Sequence, residues 1–320
     1  MEVLQGPSPS ARVDSPSVTT IGMFDGVHAG HQAVLRTAVD AARSQGLVAV
    51  AVTFDRHPRS VLDPGSQPPL ITTLERKCAL ISGLGLDVLV MLRFDQELAS
   101  WPAERFARRI LADDLQARRV VVGENFTFGN RALGTVAMLR ELGPELGFEA
   151  ESVPLLDLHG RRVSSSSIRE AIAAGDMRWP AEAHGRPFAV DGTVVTGAGR
   201  GVSLGFPTAN LEVRPRMLLP GRGVYAGRAR LLDAGGEAGS EQQAYPAAID
   251  VGTNPTFGDE PLHVEAHLLD FDQDLRDRRL SVEFLARLRD EERFDSVEAL
   301  VRQMEEDVAR TRELAGPGAA

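Results

Sequence analysis

Apolar residues follow two different rhythms along this chain, and the change between them falls near residue 185. From Val18 onward, short β-branched runs alternate with segments whose apolar positions recur at helical spacing. Val18-Thr-Thr-Ile21 reads as a strand, and residues 32–43, with Val34, Leu35 and Val39 on one side, read as a helix. Residues 47–54 are nearly all apolar, the mark of a strand covered on both faces. Helices are then predicted around 74–84, 103–115 and 132–146, and strands at 87–92, 118–123 and 149–153. Residues 163–169 open one more helix, to about residue 174, and 177–184 read as a connector. This rhythm predicts a doubly wound parallel α/β sheet of Rossmann type, with its ligand beyond the carboxyl ends of the strands.

After Gly185 the alternation stops. Short strands at 188–196, 208–213, 224–232, 247–251, 263–269 and 280–284 predict an antiparallel barrel or sandwich. Residues 233–243, polar and glycine-rich, read as a solvated loop. A C-terminal helix follows Asp295-Ser296, with Glu298 as the capping-box partner of Asp295 and an apolar stripe of Leu300, Val301, Met304 and Val308. Residues 316–320 read as a frayed tail. Two domains are expected, 1–184 and 185–320, in line with about 150 residues per domain.

Composition adds exclusions. The chain of 320 residues is 43% hydrophobic and 25% charged, ordinary for a soluble globular protein. A net charge of −10 with no standout basic patch argues against a nucleic-acid surface. The lone cysteine, Cys78, has no internal disulfide partner and reads as a small core residue. Residues 1–16 contain Glu2 and Asp14 and lack the apolar core of a secretory leader. The longest apolar run, 46–54, is too short to span a bilayer. The cytoplasm is the expected location, with neither a membrane nor a nucleic acid as partner.

The candidate chemistry gathers at strand ends. Gly22-Met-Phe-Asp-Gly-Val-His-Ala-Gly-His31 joins the first strand to the first helix, where backbone N–H groups and the helix dipole converge on an anion. Its glycines allow close backbone approach, and His28 and His31 share a face. The spacing alone suits a phosphate cradle, a capped turn with surface histidines, or part of a zinc site. Further clusters follow later strands: Asp55-Arg-His-Pro58, Gly123-Glu-Asn-Phe-Thr-Phe-Gly129 and Val163-Ser-Ser-Ser-Ser-Ile-Arg169. Singly, each reads as a turn, a core contact or a helix cap before it reads as a site; together at one sheet edge they outline a cleft. In the second half, Gly197 to Leu211 combines a glycine loop with a polar pair and matches neither common nucleotide-binding motif. In the strand 263–268, alternation puts Val264, Ala266 and Leu268 on one face and Glu265 and His267 on the other. From alternation alone, Glu265 is a solvent-facing acid or a base.

These residues resemble a known family. Residues 22–31 are similar to the Gly-x-Phe-Asp-Gly-Val-His-x-Gly-His signature of the FAD synthetase branch of the HxGH nucleotidyltransferases. Thr53-Phe54, His57-Pro58, the 123–129 loop and Ser164 to Arg169 follow in that branch's order. Gly205-Phe-Pro-Thr-Ala-Asn210 resembles the riboflavin kinase signature, with Gly223-Val-Tyr-Ala226, Gly252-Thr-Asn-Pro-Thr-Phe257, Glu265 and Asp270-Phe-Asp272 in register. The whole resembles the bacterial bifunctional riboflavin kinase/FMN adenylyltransferases. The resemblance implies an HxGH nucleotidyltransferase domain followed by a six-stranded antiparallel β-barrel with a C-terminal helix. It also implies a chemistry: riboflavin phosphorylated to FMN, then FMN adenylylated to FAD with release of pyrophosphate.

The same resemblance assigns roles. His28 and His31 would stabilise the adenylyl-transfer transition state, with Gly22, Phe24 and Gly30 around the ATP phosphates. Ser164, Ser166 and Arg169 would hold the β,γ-phosphates, and Asn125, Phe126 and Phe128 the flavin. In the kinase, Thr208 and Asn210 would coordinate Mg²⁺ with the ATP phosphates, Gly199, Gly201 and Gly205 would close over ATP, and Glu265 would be the general base. Substrates are ATP, riboflavin and FMN; flavin-requiring apoproteins are the expected recipients of FAD, and a homo-oligomer is compatible with the sequence. Five residues depart from the family pattern: Arg56, Ala183, His184, Ser166 and Arg276.

Overall fold

The computed structural model describes residues 1–6, 12–197, 201, 204–232, 243–253 and 262–316. Residues 233–242 of the expected loop, Gly199, most of the 252–257 motif and the 317–320 tail lie outside the described residues. The chain divides into two compact units, Met1–Pro68 with Leu74–Ser165, and Pro69–Thr73 with Ser166–Ala320. No helix among the described residues is long and apolar enough to cross a membrane.

The first unit is built on strands β1 (Glu2–Gln5), β2 (Ser17–Ile21), β3 (Val48–Phe54), β4 (Val88–Leu92), β5 (Ala117–Gly123) and β6 (Glu149–Val153). All pair in parallel, in the order β1-β4-β3-β2-β5-β6. Helix α1 (Ala29–Gln45) links β2 to β3, α2 (Leu74–Ser82) precedes β4, and α3 (Val136–Leu146) precedes β6. Residues of β3 alternate between two cores, which is why the strand is apolar throughout. Val50 and Val52 join Phe106, Ile110, Leu111 and Leu139 on one face, while Ala49 and Ala51 join Leu35, Ala38, Val39 and Ile81 on the other. The small alanines there let α1 lie close against the sheet. From β2 the chain builds outward through β3 and β4, then crosses back to β5 on the other side of β2. The switch point therefore lies between β2 and β5, the place where open α/β sheets bind ligands.

Two features of this unit escape the sequence pattern. The edge strand β1 has mostly exposed side chains and a Glu and a Gln at its ends, so it has no apolar signature. The helix expected over 103–115 is α-helical only for Ala103–Phe106 and continues as a π-helix over Ala107–Asp114.

In the second unit, strands β7 (Phe188–Val195), β8 (Ala209–Val213), β9 (Gly223–Leu231), β10 (Ala244–Gly252), β11 (His263–Leu268) and β12 (Arg279–Arg289) form a closed barrel ordered β7-β8-β11-β10-β9-β12. Every pairing is antiparallel. Val190, Ile249, Val251, Val264, Ala266, Val282 and Phe284 fill the interior with no exposed surface. Strands β10 and β12 run past their predicted limits, since ladder pairing continues after the apolar positions end; β12 also carries irregularities in register against β9. The expected connector 177–184 contains a helix, Arg178–His184, because Asp176 Oδ1 accepts from the backbone N–H groups of Arg178 (3.0 Å) and Trp179 (3.1 Å). Ala183 and His184, two of the departures from the family pattern, are buried there. The C-terminal helix (Val297–Ala315) is capped by Ser296, whose hydroxyl accepts from Ala299 N–H at 3.1 Å. This corrects the expected Asp295 cap: the extended backbone sits at Ser296, one residue later.

Candidate functional sites

The turn after β2 is tightly determined. Phe24 (φ 50°) and Val27 (φ 42°) adopt left-handed backbone that large L-residues seldom take, so surrounding contacts must hold them there. His28 is the N-cap of α1: its Nδ1 accepts from His31 N–H at 3.2 Å, which leaves the proton of the neutral ring on Nε2. The two imidazoles stack at 3.6 Å, and Phe24 meets His31 edge-on at 5.4 Å. Two glycines sit tightly in this packing. A Cβ on Gly22 would lie 2.8 Å from the Phe24 ring, and one on Gly30 would lie 3.2 Å from the His28 ring.

The turn opens onto a cavity of about 250 Å³ at the switch point. Gly22, Phe24, His28, Gly30 and His31 form one wall; Gly123, Asn125 and Phe126 form another; Ser164 and Ser165 close it. Ser165 Oγ donates to the Asp25 carbonyl at 3.0 Å, tying Ser165 to the turn. Phe128 stands behind the wall, stacked on Phe126 at 5.6 Å, so it supports the cavity without lining it. Ser166 and Arg169 fall in the second compact unit, and Arg169 Nε donates to the Pro69 carbonyl at 2.7 Å. The sequence reading passed over Ser165 and Arg162, which also lines the cavity. Arg162 Nε donates to Asp157 Oδ1 at 2.6 Å, and that bond raises the guanidinium pKa further. A doubled arginine in a short hairpin was the available signal. Arg56 forms a local, exposed pair with Asp55 at 2.8 Å.

The second unit carries a separate cavity of about 290 Å³. Strand pairing sets Glu265 of β11 directly opposite Asn210 of β8 on one side and opposite Asp250 of β10 on the other. Thr208 Oγ1 donates to Glu265 Oε2 at 3.0 Å, and His263 Nε2 lies 3.5 Å from Glu265 Oε1. Glu265 and His267 line the cavity while Val264, Ala266 and Leu268 are buried, as alternation predicts. Gly201 contributes to the wall, and Gly205 (φ 87°) forms a turn outside it. Asn210 is packed by Gly197 so closely that a Cβ there would overlap its amide. Leu204, Phe206 and Ile249 face Leu300, Met304 and Val308 of the C-terminal helix, giving the cavity an apolar half. Arg276 pairs locally with Asp274 at the surface and not in this wall.

Three charged residues of this cavity carry no motif. Asp250 is largely buried; desolvation first, then the charges of Glu291 and Glu265, push its pKa up to about 6. Arg289 Nη2 and Asp307 Oδ2, 2.8 Å apart and well buried, join β12 to the C-terminal helix. The signal for Asp250 was an acid inside the apolar run 247–251.

Comparison with known proteins finds a separate family model for each half of the chain. Residues 10–167 match the FAD synthetase family model and residues 184–315 the riboflavin kinase model. The chain is 40% identical to the bifunctional riboflavin kinase/FMN adenylyltransferase of Pseudomonas fluorescens, over 94% of each chain. It is 34% identical to that of Bacillus subtilis, over 91% of this chain and 90% of the relative. For the Escherichia coli K12 protein the identity is 33% over 93% of each. A crystal structure titled as a macrolide-efflux protein from Streptococcus pneumoniae superposes with a TM-score of 0.87 at 31% identity, covering 98% of this chain and 99% of that one. The two family models together span most of the sequence, in the order of the two units. On that evidence the chain belongs to the family of bifunctional riboflavin kinases/FMN adenylyltransferases.

Proposed function

We propose that the two cavities divide the two reactions, with an adenylyltransferase domain over residues 1–184 and a riboflavin kinase domain over residues 185–320. The observation that carries this reading is the separation of chemistries. The first cavity pairs a helix N-terminus with two histidines, suited to developing phosphate charge; the second places a carboxylate beside neutral oxygen donors.

In the kinase cavity, Glu265 takes the proton of the ribityl 5′-hydroxyl as that oxygen attacks the γ-phosphorus of ATP and ADP leaves. Thr208, donating to Oε2, fixes the carboxylate so that it does not rotate away from the hydroxyl. The apolar half of the cavity receives the flavin ring, and the glycine loop covers the nucleotide. Thr208 Oγ1 and the Asn210 amide oxygen suit Mg²⁺, whose charge is balanced mainly by phosphate when bound. In the first cavity the FMN phosphate attacks the α-phosphorus and pyrophosphate leaves, so no protein nucleophile is needed. His28 donates from Nε2 to phosphate oxygen, His31 stacks on it, and the α1 N-terminus adds its partial positive charge. Asn125 and Phe126 hold the flavin. Ser164, Ser166 and Arg169 bind the leaving phosphates, Arg169 as a permanent cation. The FAD formed serves flavin-requiring apoproteins.

Purified protein incubated with riboflavin, ATP and Mg²⁺ forms both FMN and FAD, separable by chromatography. His28→Ala abolishes FAD formation from FMN and spares riboflavin phosphorylation; Glu265→Ala does the reverse. Wild-type phosphorylation in Glu265→Ala removes it as the base, and undiminished FAD formation in His28→Ala removes the phosphate role of the turn.

A further inference from the structure

Of the 35 lysines and arginines in this chain, only Lys77 is a lysine. It is also the only one of them among the described residues that is fully buried, at 7% exposure. It sits on α2 and points beneath the turn that follows β2. Its Nζ donates to the Met23 carbonyl at 3.2 Å and to Thr53 Oγ1 at 3.0 Å. Thr53 Oγ1 in turn donates to the same Met23 carbonyl at 3.2 Å. The three groups form a closed node joining α2, the end of β3 and the turn.

The node acts where the turn is most strained. Met23 directly precedes Phe24, the residue at φ 50° whose ring meets His31 edge-on at 5.4 Å. Left-handed backbone at a bulky residue is strained and persists only where neighbours over-determine it. Two donors on the carbonyl just before Phe24 are such a constraint. The residue type is informative as well. A compact ammonium with tetrahedral donors can converge on two acceptors at one point, whereas a planar guanidinium needs a wider seat. Everywhere else this chain uses arginine. Burying a cation is costly unless it is compensated, and here the Met23 carbonyl and the Thr53 hydroxyl compensate it. Burial pulls the ammonium pKa down, and the charges of Asp25, Cys78 and Asp55, the titratable groups that face it, pull it back up. Asp25 is itself buried and lies in the turn.

We propose that Lys77 is a positioning residue for adenylyl transfer. It clamps the Met23 carbonyl from beneath, holds the Phe24–His31 face of the turn, and supplies that turn with a fixed positive charge. This rests on the reading that the turn receives the phosphates of ATP. Lys77 does not line the cavity, so it acts through the turn and not by touching substrate.

A single lysine makes the test direct. Growth on lysine labelled with ¹³C at Cε gives a spectrum with one side-chain resonance, that of Lys77. Pyrophosphate, the product of the reaction, is the probe. On its binding, the Lys77 resonance shifts and its titration midpoint rises, because added negative charge above the turn favours the ammonium. Linkage requires the converse: the protonated lysine strengthens phosphate binding by the same factor. Lys77→Met should form FAD from FMN with kcat/KM lower by about tenfold or more, the value of one charge-assisted hydrogen bond, while phosphorylating riboflavin at the wild-type rate. Lys77→Arg, which keeps the charge, should recover part of the loss. FAD formation within twofold of wild type in Lys77→Met overturns the proposal. So does a Lys77 resonance that stays still while pyrophosphate inhibits FAD formation. Should Lys77→Met fail to fold, the wild-type spectrum decides alone. Wild-type protein whose FAD formation pyrophosphate does not inhibit fails the phosphate reading of the turn, a different failure.

Discussion

Replacing Asp250 by asparagine should stabilise the barrel unit at neutral pH, by an amount that grows with pH. Asp250 is largely buried opposite Glu265, with Glu291 also near it, and its pKa stands at about 6 against an ordinary 3.8. Between those two values the folded chain holds a proton that the unfolded chain has released. Stability therefore falls as pH rises through this window, the reverse of the usual carboxylate contribution. Near pH 4 the penalty is below about 1 kcal/mol; above pH 6 it levels off at about 3 kcal/mol, some two pKa units at 1.36 kcal/mol each. Asparagine keeps the shape and carries no charge, so Asp250→Asn recovers this energy in the same pH-dependent way. Urea unfolding of the full chain at pH 4, 5, 6 and 7 measures it. Fluorescence of Trp179, read in a Trp101→Phe background, reports the second unit alone, because the chain has only these two tryptophans and they fall in different units. The expected gain over the matched parent rises from below 1 to about 3 kcal/mol between pH 4 and 7. A gain that is flat across this range, or a loss at pH 7, refutes the assignment of a neutralised carboxyl beside Glu265.

Two other perturbations test the walls of the cavities. Asp307→Ala leaves Arg289 buried and unpaired, which should cost about 3–5 kcal/mol, read as a lower urea midpoint from Trp179 and a raised KM for riboflavin. Gly134→Ala sets a Cβ 2.7 Å from the Phe128 ring and 2.8 Å from the Ala103 Cβ, so Phe128 and the Phe126 stacked on it must move. Steady-state kinetics should then show a several-fold higher KM for FMN in FAD synthesis, with riboflavin phosphorylation unchanged.

What was legible in the sequence was local. The turn from Gly22 to His31 announces itself because its glycines, histidines and flanking strand and helix are contiguous, and the physics of a helix N-terminus needs nothing from elsewhere. The parallel sheet was legible in β3, where both faces are buried and the residues say so. Edge strand β1 was not, since one side of it meets solvent and its residues carry no apolar pattern. The serine run shows the limit within a motif: composition points to several serines, but only the start of the helix decides that Ser164 and Ser165 face the cavity. Phe126 and Phe128 look equivalent in sequence, and the two-residue alternation does not say which one a neighbouring helix will cover.

Long-range pairing hides the rest, and it hides charged residues most. Thr208 and Glu265 stand 57 positions apart, yet were found because each lies in a recognisable segment; the bond between them depends on the β8–β11 register. Asp250 has no such segment. Its chemistry comes entirely from which residue β11 sets opposite it, and a shift of one residue would turn Glu265 to the other face and leave Asp250 an ordinary acid. Lys77 is a similar case on a helix. In Leu74-Glu-Arg-Lys-Cys it reads as one more surface charge, flanked by an arginine and close to a glutamate. Only the packing of α2 shows that this one cation is buried while Arg76 is half-buried. A group whose role is to hold another group is invisible to motif reading, because the motif records what meets substrate. The same burial that conceals such groups is what perturbs their protonation. For Asp250 and Lys77 the pH dependence of folding and binding is thus a more direct probe than the sequence around them.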